Sequence, residues 1–229
     1  MAEGEWEILE ISLGEGGMQL TVAASPHISL LPGQYFLAFA PGKDEPAATA
    51  LFLTAGGTVE WKLNSINPPA WQPGTRLRWR GPLGRGFRFP PSARRVALVP
   101  WAVSTDCLIP LLNEALHQSA AVVWYSDRLP GYLPASVEVL PLDMLPEVWN
   151  WADYLALECD LRNLSRLAEA LGWDGIRRPG CPTEILLHTP LTCGGMADCG
   201  VCAVRTKRGW KMACKDGPVF DLAELELTQ

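Results

Sequence analysis

Four cysteines fall within 22 residues near the end of this 229-residue chain, spaced Cys193-x5-Cys199-x2-Cys202-x11-Cys214. Thiolates are soft metal ligands, and a loop that wraps a metal cluster must bring several backbone amides close to the sulfurs. Glycine permits that approach and the left-handed turns it needs, and Gly194, Gly195 and Gly200 stand among the first three cysteines. A fourth ligand beyond a hairpin over residues 204–212, turning at Arg208-Gly209, gives a pattern similar to the plant-type [2Fe–2S] spacing C-x4-C-x2-C…C. Zinc ribbons usually carry two Cys-x2-Cys knuckles, and here only Cys199 and Cys202 form one. Four thiols interleaved with glycine also make poor core filler, so the spacing favours an iron–sulfur cluster over zinc or plain packing. Arg205, Lys207, Arg208, Lys211 and Lys215 surround the last cysteine. They either offset the negative charge of a thiolate-bound cluster or form a solvated hairpin face.

Something must hold that loop. Residues 1–92 read as short strands broken by glycine and proline, and Arg76-Leu-Arg-Trp-Arg alternates cleanly between apolar and charged. About six such strands predict a small antiparallel β-barrel. Residues 93–189 change period. Apolar runs at 95–99, 120–125, 137–140, 154–157 and 184–188 alternate with helical patterns over 106–118 and 161–171, the latter ending at Gly172 where a C′ glycine belongs. Strand–helix alternation predicts an α/β domain with a mostly parallel sheet. Residues 190–229 are too few for a core of their own and would depend on a metal.

Composition limits the function. The chain is 48% hydrophobic and 19% charged, with net charge −6, and its mean hydropathy is +0.07. That composition suits a globular protein and opposes a general nucleic-acid binder. No apolar run reaches the roughly 20 residues of a membrane span. The start, Met-Ala-Glu-Gly-Glu-Trp, is acidic and has no apolar signal region, so a cytoplasmic location with reduced thiols is expected.

The stretch Cys193-Gly-Gly-Met-Ala-Asp-Cys-Gly-Val-Cys, with Cys214-Lys-Asp-Gly-Pro-Val-Phe after it, resembles the electron-transfer subunit of class B dihydroorotate dehydrogenase. Pro32-Gly-Gln-Tyr-Phe and Gly81-Pro-Leu-Gly-Arg-Gly-Phe are similar to motifs of the same family, within the ferredoxin-reductase-like superfamily. The resemblance implies a two-domain ferredoxin-reductase-like architecture: a flavin-binding-type barrel (1–92), a nucleotide-binding-type α/β domain (93–189) and a [2Fe–2S] tail (190–229). It implies Cys193, Cys199, Cys202 and Cys214 as cluster ligands, and an FMN-bearing catalytic dehydrogenase subunit as partner in a hetero-oligomer. The first gap holds five residues where the family has four.

Other family motifs are altered. The flavin motif Arg-Pro-x-Ser aligns with Leu51-Phe-Leu-Thr, which loses the phosphate-pairing arginine and leaves Thr54 as the one candidate FAD contact. The loop over residues 99–107, which should approach a pyrophosphate through glycine, contains none and carries Trp101. That counts against NAD. Two readings follow: an iron–sulfur electron-transfer subunit with the barrel as a candidate FAD site, or a scaffold or regulatory subunit that keeps the cluster without FAD or NAD. Either way the chain is a component of an oxidoreductase rather than a stand-alone catalyst.

Seven arginines and no acid lie between residues 76 and 95 (76, 78, 80, 85, 88, 94 and 95). They suit a flavin diphosphate, an acidic partner surface or a solvated face. His188 reads as a packed residue, and Cys107, Cys159 and Cys181 as ordinary thiols.

Overall fold

Alternating strands can close on themselves when each offers one apolar face, and six do so here. A computed structural model describes residues 2–14, 17–25, 27–42, 48–65, 70–103, 106–128, 133–177 and 179–227. Strands β1 (Ala2–Gly14), β2 (Gly17–Ala23), β3 (Tyr35–Phe39), β4 (Thr49–Gly56), β5 (Glu60–Ser65) and β6 (Arg76–Leu83) form a closed barrel in the order β1-β2-β5-β4-β3-β6. The alternation in β6 turns Leu77 and Trp79 inward and leaves Arg76 and Arg78 exposed. Trp79 stacks on Trp6 at 4.6 Å, and Phe36 meets both rings edge-on at 5.3 and 5.0 Å. This aromatic filling accounts for several of the chain's ten tryptophans.

The second unit is a six-stranded sheet in the order β14-β11-β10-β7-β8-β9. Its elements are β7 (Arg95–Trp101), α1 (Ile109–His117), β8 (Ala121–Tyr125), β9 (Glu138–Leu140), α2 (Val148–Trp151), β10 (Tyr154–Asp160), α3 (Leu164–Ala170) and β11 (Thr183–His188). Five strands run parallel, as expected for strand–helix alternation. The helical pattern at 161–171 starts as one 3₁₀ turn (Leu161–Asn163), because the Asp160 carboxylate accepts the Arg162 N–H at 2.9 Å and caps it. Gly172 closes α3 with φ +62°, the left-handed conformation the sequence placed there.

The C-terminal segment does not stand apart. The hairpin β12 (Ala203–Thr206) and β13 (Gly209–Met212) leads through α4 (Ala213–Asp216) to β14 (Val219–Asp221), which joins β11 antiparallel as the edge of the large sheet. The hairpin turns at Lys207-Arg208, one residue earlier than expected. Thr206 Oγ1 accepts the Arg208 N–H and donates to the Gly209 oxygen, which fixes that turn.

Barrel and sheet share one apolar cluster in which Tyr35, Phe52 and Phe87 meet Leu98, Leu111, Leu186 and Val219. A buried carboxylate adds a polar tie. Glu184 on β11 accepts hydrogen bonds from Tyr154 Oη (2.8 Å), the Arg88 N–H (2.7 Å) and Arg85 Nη2 (3.1 Å). Part of the arginine-rich stretch is therefore structural: Arg85 pairs with Glu184, Arg78 with Glu5 and Arg95 with Asp153.

Candidate metal centre

The loop carrying the cysteines leaves β11 at His188 and returns to the sheet at Val219. Within it, Gly194, Gly195 and Gly200 adopt φ of +63°, +76° and +71°, and Ala197 takes the same left-handed form at +63°. Those turns fold the backbone inward around sulfur. The N–H groups of Asp198, Cys199 and Met196 reach Cys193, and with the Cys199 side chain they hold its thiol down at about 6, well below the ordinary thiol range. Cys214 behaves oppositely. Burial, reinforced by Cys202 against it, pushes its thiol up to about 12, while the Ala197 N–H pulls the other way.

The four predicted ligands interact with one another, and the strongest side-chain influences run in two pairs, Cys193 with Cys199 and Cys202 with Cys214. Cys202 and Cys214 are buried, Cys193 is half-buried and Cys199 is exposed. Thr192 Oγ1 lies 3.4 Å from Cys199 Sγ. Four convergent thiols in two pairs, with backbone N–H donors turned toward sulfur, are the donor set that a two-iron cluster takes. The residues fit the group.

The barrel supplies two neighbours that sequence reading missed. Tyr35 Oη donates to the Cys214 backbone oxygen at 3.2 Å, and Cys214, Cys202, Arg80 and Cys193 all act electrostatically on its phenol. Arg80 Nη2 stands 3.6 and 3.7 Å from where a Cβ would project on Gly194 and Gly195. Three of the five cations near the last cysteine, read as offsetting cluster charge or as a solvated face, have partners of their own. Lys211 pairs with Glu224 at 2.6 Å, Arg205 with Glu226 at 2.5 Å, and Lys207 lies over the Trp173 ring.

The flavin and nucleotide positions look different. Thr54 is buried in the barrel wall, where its hydroxyl accepts from Gln19 Nε2 and donates to the Lys62 oxygen, both at 3.2 Å. Phe52, beside it in the altered motif, packs into the seam against Tyr35 and the His188 ring. Nothing on β4 presents a cation to a phosphate, so these residues do not fit a flavin diphosphate in the way the resemblance implies. The loop after β7 has no glycine for a pyrophosphate to approach, and Ser104 and Thr105 within it lie outside the described residues.

Residues 191–226 match the family model described as the iron-sulfur cluster binding domain of dihydroorotate dehydrogenase B. Two curated proteins, from Thermotoga petrophila and Thermotoga maritima, are named for the electron transfer subunit of dihydroorotate dehydrogenase B (NAD(+)); each is 29% identical over 153 residues, 66% of this chain and 64% of the relative. Over that stretch the chain is similar to these electron-transfer subunits. It spans just under two thirds of the length of those curated relatives. Among solved structures, a chain of an NADH-dependent reduced ferredoxin-NADP oxidoreductase, described for flavin-based electron bifurcation, superposes with TM-score 0.74 at 17% identity, covering 97% of this chain and 90% of its own. The ferredoxin reductase in carbazole 1,9a-dioxygenase follows at TM-score 0.57 and 16% identity, over 80% of this chain and 68% of its own. The fold is ferredoxin-reductase-like, and the segment at 191–226 is the part that matches the iron-sulfur binding model. No helix among the described residues is long and apolar enough to cross a membrane.

Proposed function

We propose that the chain is an iron–sulfur electron-transfer subunit in which Cys193, Cys199, Cys202 and Cys214 hold a [2Fe–2S] cluster. When bound, that cluster takes up and releases single electrons. The chain's own residues bury one sulfur pair, direct backbone N–H groups at the sulfurs and set Arg80 beside the loop to balance negative charge. The pairing of the four thiols in one glycine-rich loop is the observation that carries this reading. Its other half, Cys199 with exposed Met196 (62%) and Val201 (50%) beside it, offers a short route to a docked redox partner. By kinship with the Thermotoga proteins, that partner is a flavin-bearing catalytic subunit of the dihydroorotate dehydrogenase type, in a cytoplasmic hetero-oligomer.

The altered β4 motif and the glycine-free loop after β7 favour electron exchange without FAD or NAD held by this chain. Anaerobic purification followed by absorption spectroscopy and iron and sulfide analysis tests both parts. The expected result is about two iron and two sulfide per chain and no flavin bands. Flavin bands would restore the barrel as an FAD site, and a colourless chain without iron would overturn the proposal. A cluster that no catalytic partner can reduce or oxidise would leave the scaffold reading in its place.

A further inference from the structure

A second group of metal-ligating side chains lies in the α/β sheet, apart from the four loop cysteines. Glu158 is at the carboxyl end of β10, His188 ends β11, and Cys107 follows β7 at the entry to α1. All three are buried, with exposures of 0%, 6% and 2%. One sulfur, one carboxylate oxygen and one imidazole nitrogen lie within 4.8 Å of one another. His188 Nε2 is 2.7 Å from Glu158 Oε1, and the Phe52 ring meets the imidazole edge-on at 5.2 Å, which holds its plane. The carboxyl ends of parallel strands are where open α/β sheets place their ligands.

The imidazole and carboxylate face one another at 2.7 Å with the Cys107 thiol beside them, three donors of different type in one buried place. We infer that Cys107, Glu158 and His188 form a binding site for one divalent transition ion of the zinc class. Thiolate, imidazole and carboxylate together are a zinc donor set, and three protein ligands leave the fourth tetrahedral position for water. Metal–ligand bonds of about 2.0–2.3 Å set tetrahedral donors about 3.3–3.7 Å apart, so on binding the imidazole and carboxylate, now at 2.7 Å, part slightly to admit the ion between them. Binding displaces the thiol proton of Cys107, and the imidazole ligates through a nitrogen lone pair. The thiolate and carboxylate then offset the charge of the dication.

The inference does not rest on the cluster reading, and one experiment separates the two. Full-length chain with its iron loaded, so that the loop cysteines are occupied, is incubated with Zn2+, desalted and analysed for both metals. About one zinc per chain is expected beside undiminished iron, falling at least tenfold in Cys107→Ser and in His188→Gln. Zinc K-edge absorption on the unmodified chain should show a single sulfur among nitrogen and oxygen neighbours, which holds whether or not a variant folds. Iron-loaded chain that takes up less than about a tenth of a zinc, or zinc in a four-sulfur shell, would overturn the proposal. A chain that never takes up iron yet binds one zinc with a single sulfur neighbour would instead remove the cluster reading and leave this one standing.

Discussion

Tyr35 and Cys214 are 179 residues apart in sequence, yet the tyrosine hydroxyl donates to the cysteine's backbone oxygen at 3.2 Å. The barrel thereby touches the last ligand of the metal loop directly. Replacing Tyr35 by phenylalanine removes the donor and leaves a buried carbonyl short of a partner. A loss of about 1–3 kcal/mol in stability is expected, measured by denaturant unfolding of the iron-loaded chain. An unchanged midpoint and slope would show that the contact does not hold the loop.

Arg80 bears on the cluster by charge. A guanidinium beside a thiolate-bound cluster stabilises the reduced, more negative state. Arg80→Ala should lower the midpoint potential by about 60 mV, a tenfold change for one electron, with Arg80→Lys falling between. Redox titration followed by electron paramagnetic resonance reads this directly. The same substitution at Lys211, which is occupied by Glu224, should leave the potential within about 10 mV.

Glu184 gathers three hydrogen bonds from Tyr154, Arg88 and Arg85 where barrel meets sheet. Glu184→Ala strands the Arg85 guanidinium in a partly buried place, and a cost of about 3 kcal/mol is expected in thermal or denaturant unfolding. Glu184→Gln keeps the acceptor oxygen and should recover part of it.

Glu224 is held below its usual range chiefly by the hydrogen bond from Lys211. A depressed carboxylate contributes stability that is present above its unfolded pKa and lost as pH falls through the lower folded value. The hairpin's attachment to the C-terminal segment should therefore weaken below about pH 4.5, the unperturbed Glu value. Lys211→Met should flatten that acid limb by removing the small contribution present above about pH 4.5, leaving stability at the acid end unchanged, as pH-dependent unfolding curves would show.

Removing iron should not unfold the whole chain. With the metal stripped by chelator, amides over residues 191–216 are expected to exchange faster, while those of Thr183–His188 keep their protection through pairing with β10 and β14. Loss of protection across β11 as well would mean that the metal supports the sheet.

The barrel was legible because alternation in segments such as Arg76-Leu-Arg-Trp-Arg reports one buried face. Gly172 and the cysteine spacing were legible for similar local reasons. What escaped was long-range. No local signal in residues 219–221 announces an antiparallel edge strand, since a three-residue run has too little pattern. Nor could spacing reveal that β6 sets Arg80 beside the loop, or that Glu224 and Glu226 engage Lys211 and Arg205 of the hairpin. His188 read as a packing residue and is buried, but its meeting with Glu158 depends on the register of β10 against β11. Thr54 shows the reverse case: the hydroxyl kept in an altered motif is turned to neighbours within the barrel.

Because β11 and β14 are hydrogen-bonded neighbours, the segment between them is a loop whose two ends are already pinned before any metal arrives. For such a loop the entropic cost of an added residue grows only with the logarithm of its length. The interval of five residues between Cys193 and Cys199 can therefore differ from the four of the resembling pattern at a cost of a small fraction of a kcal/mol. Ligand spacing in this protein is an adjustable trait, tolerant of insertion, while the sheet that anchors it is not.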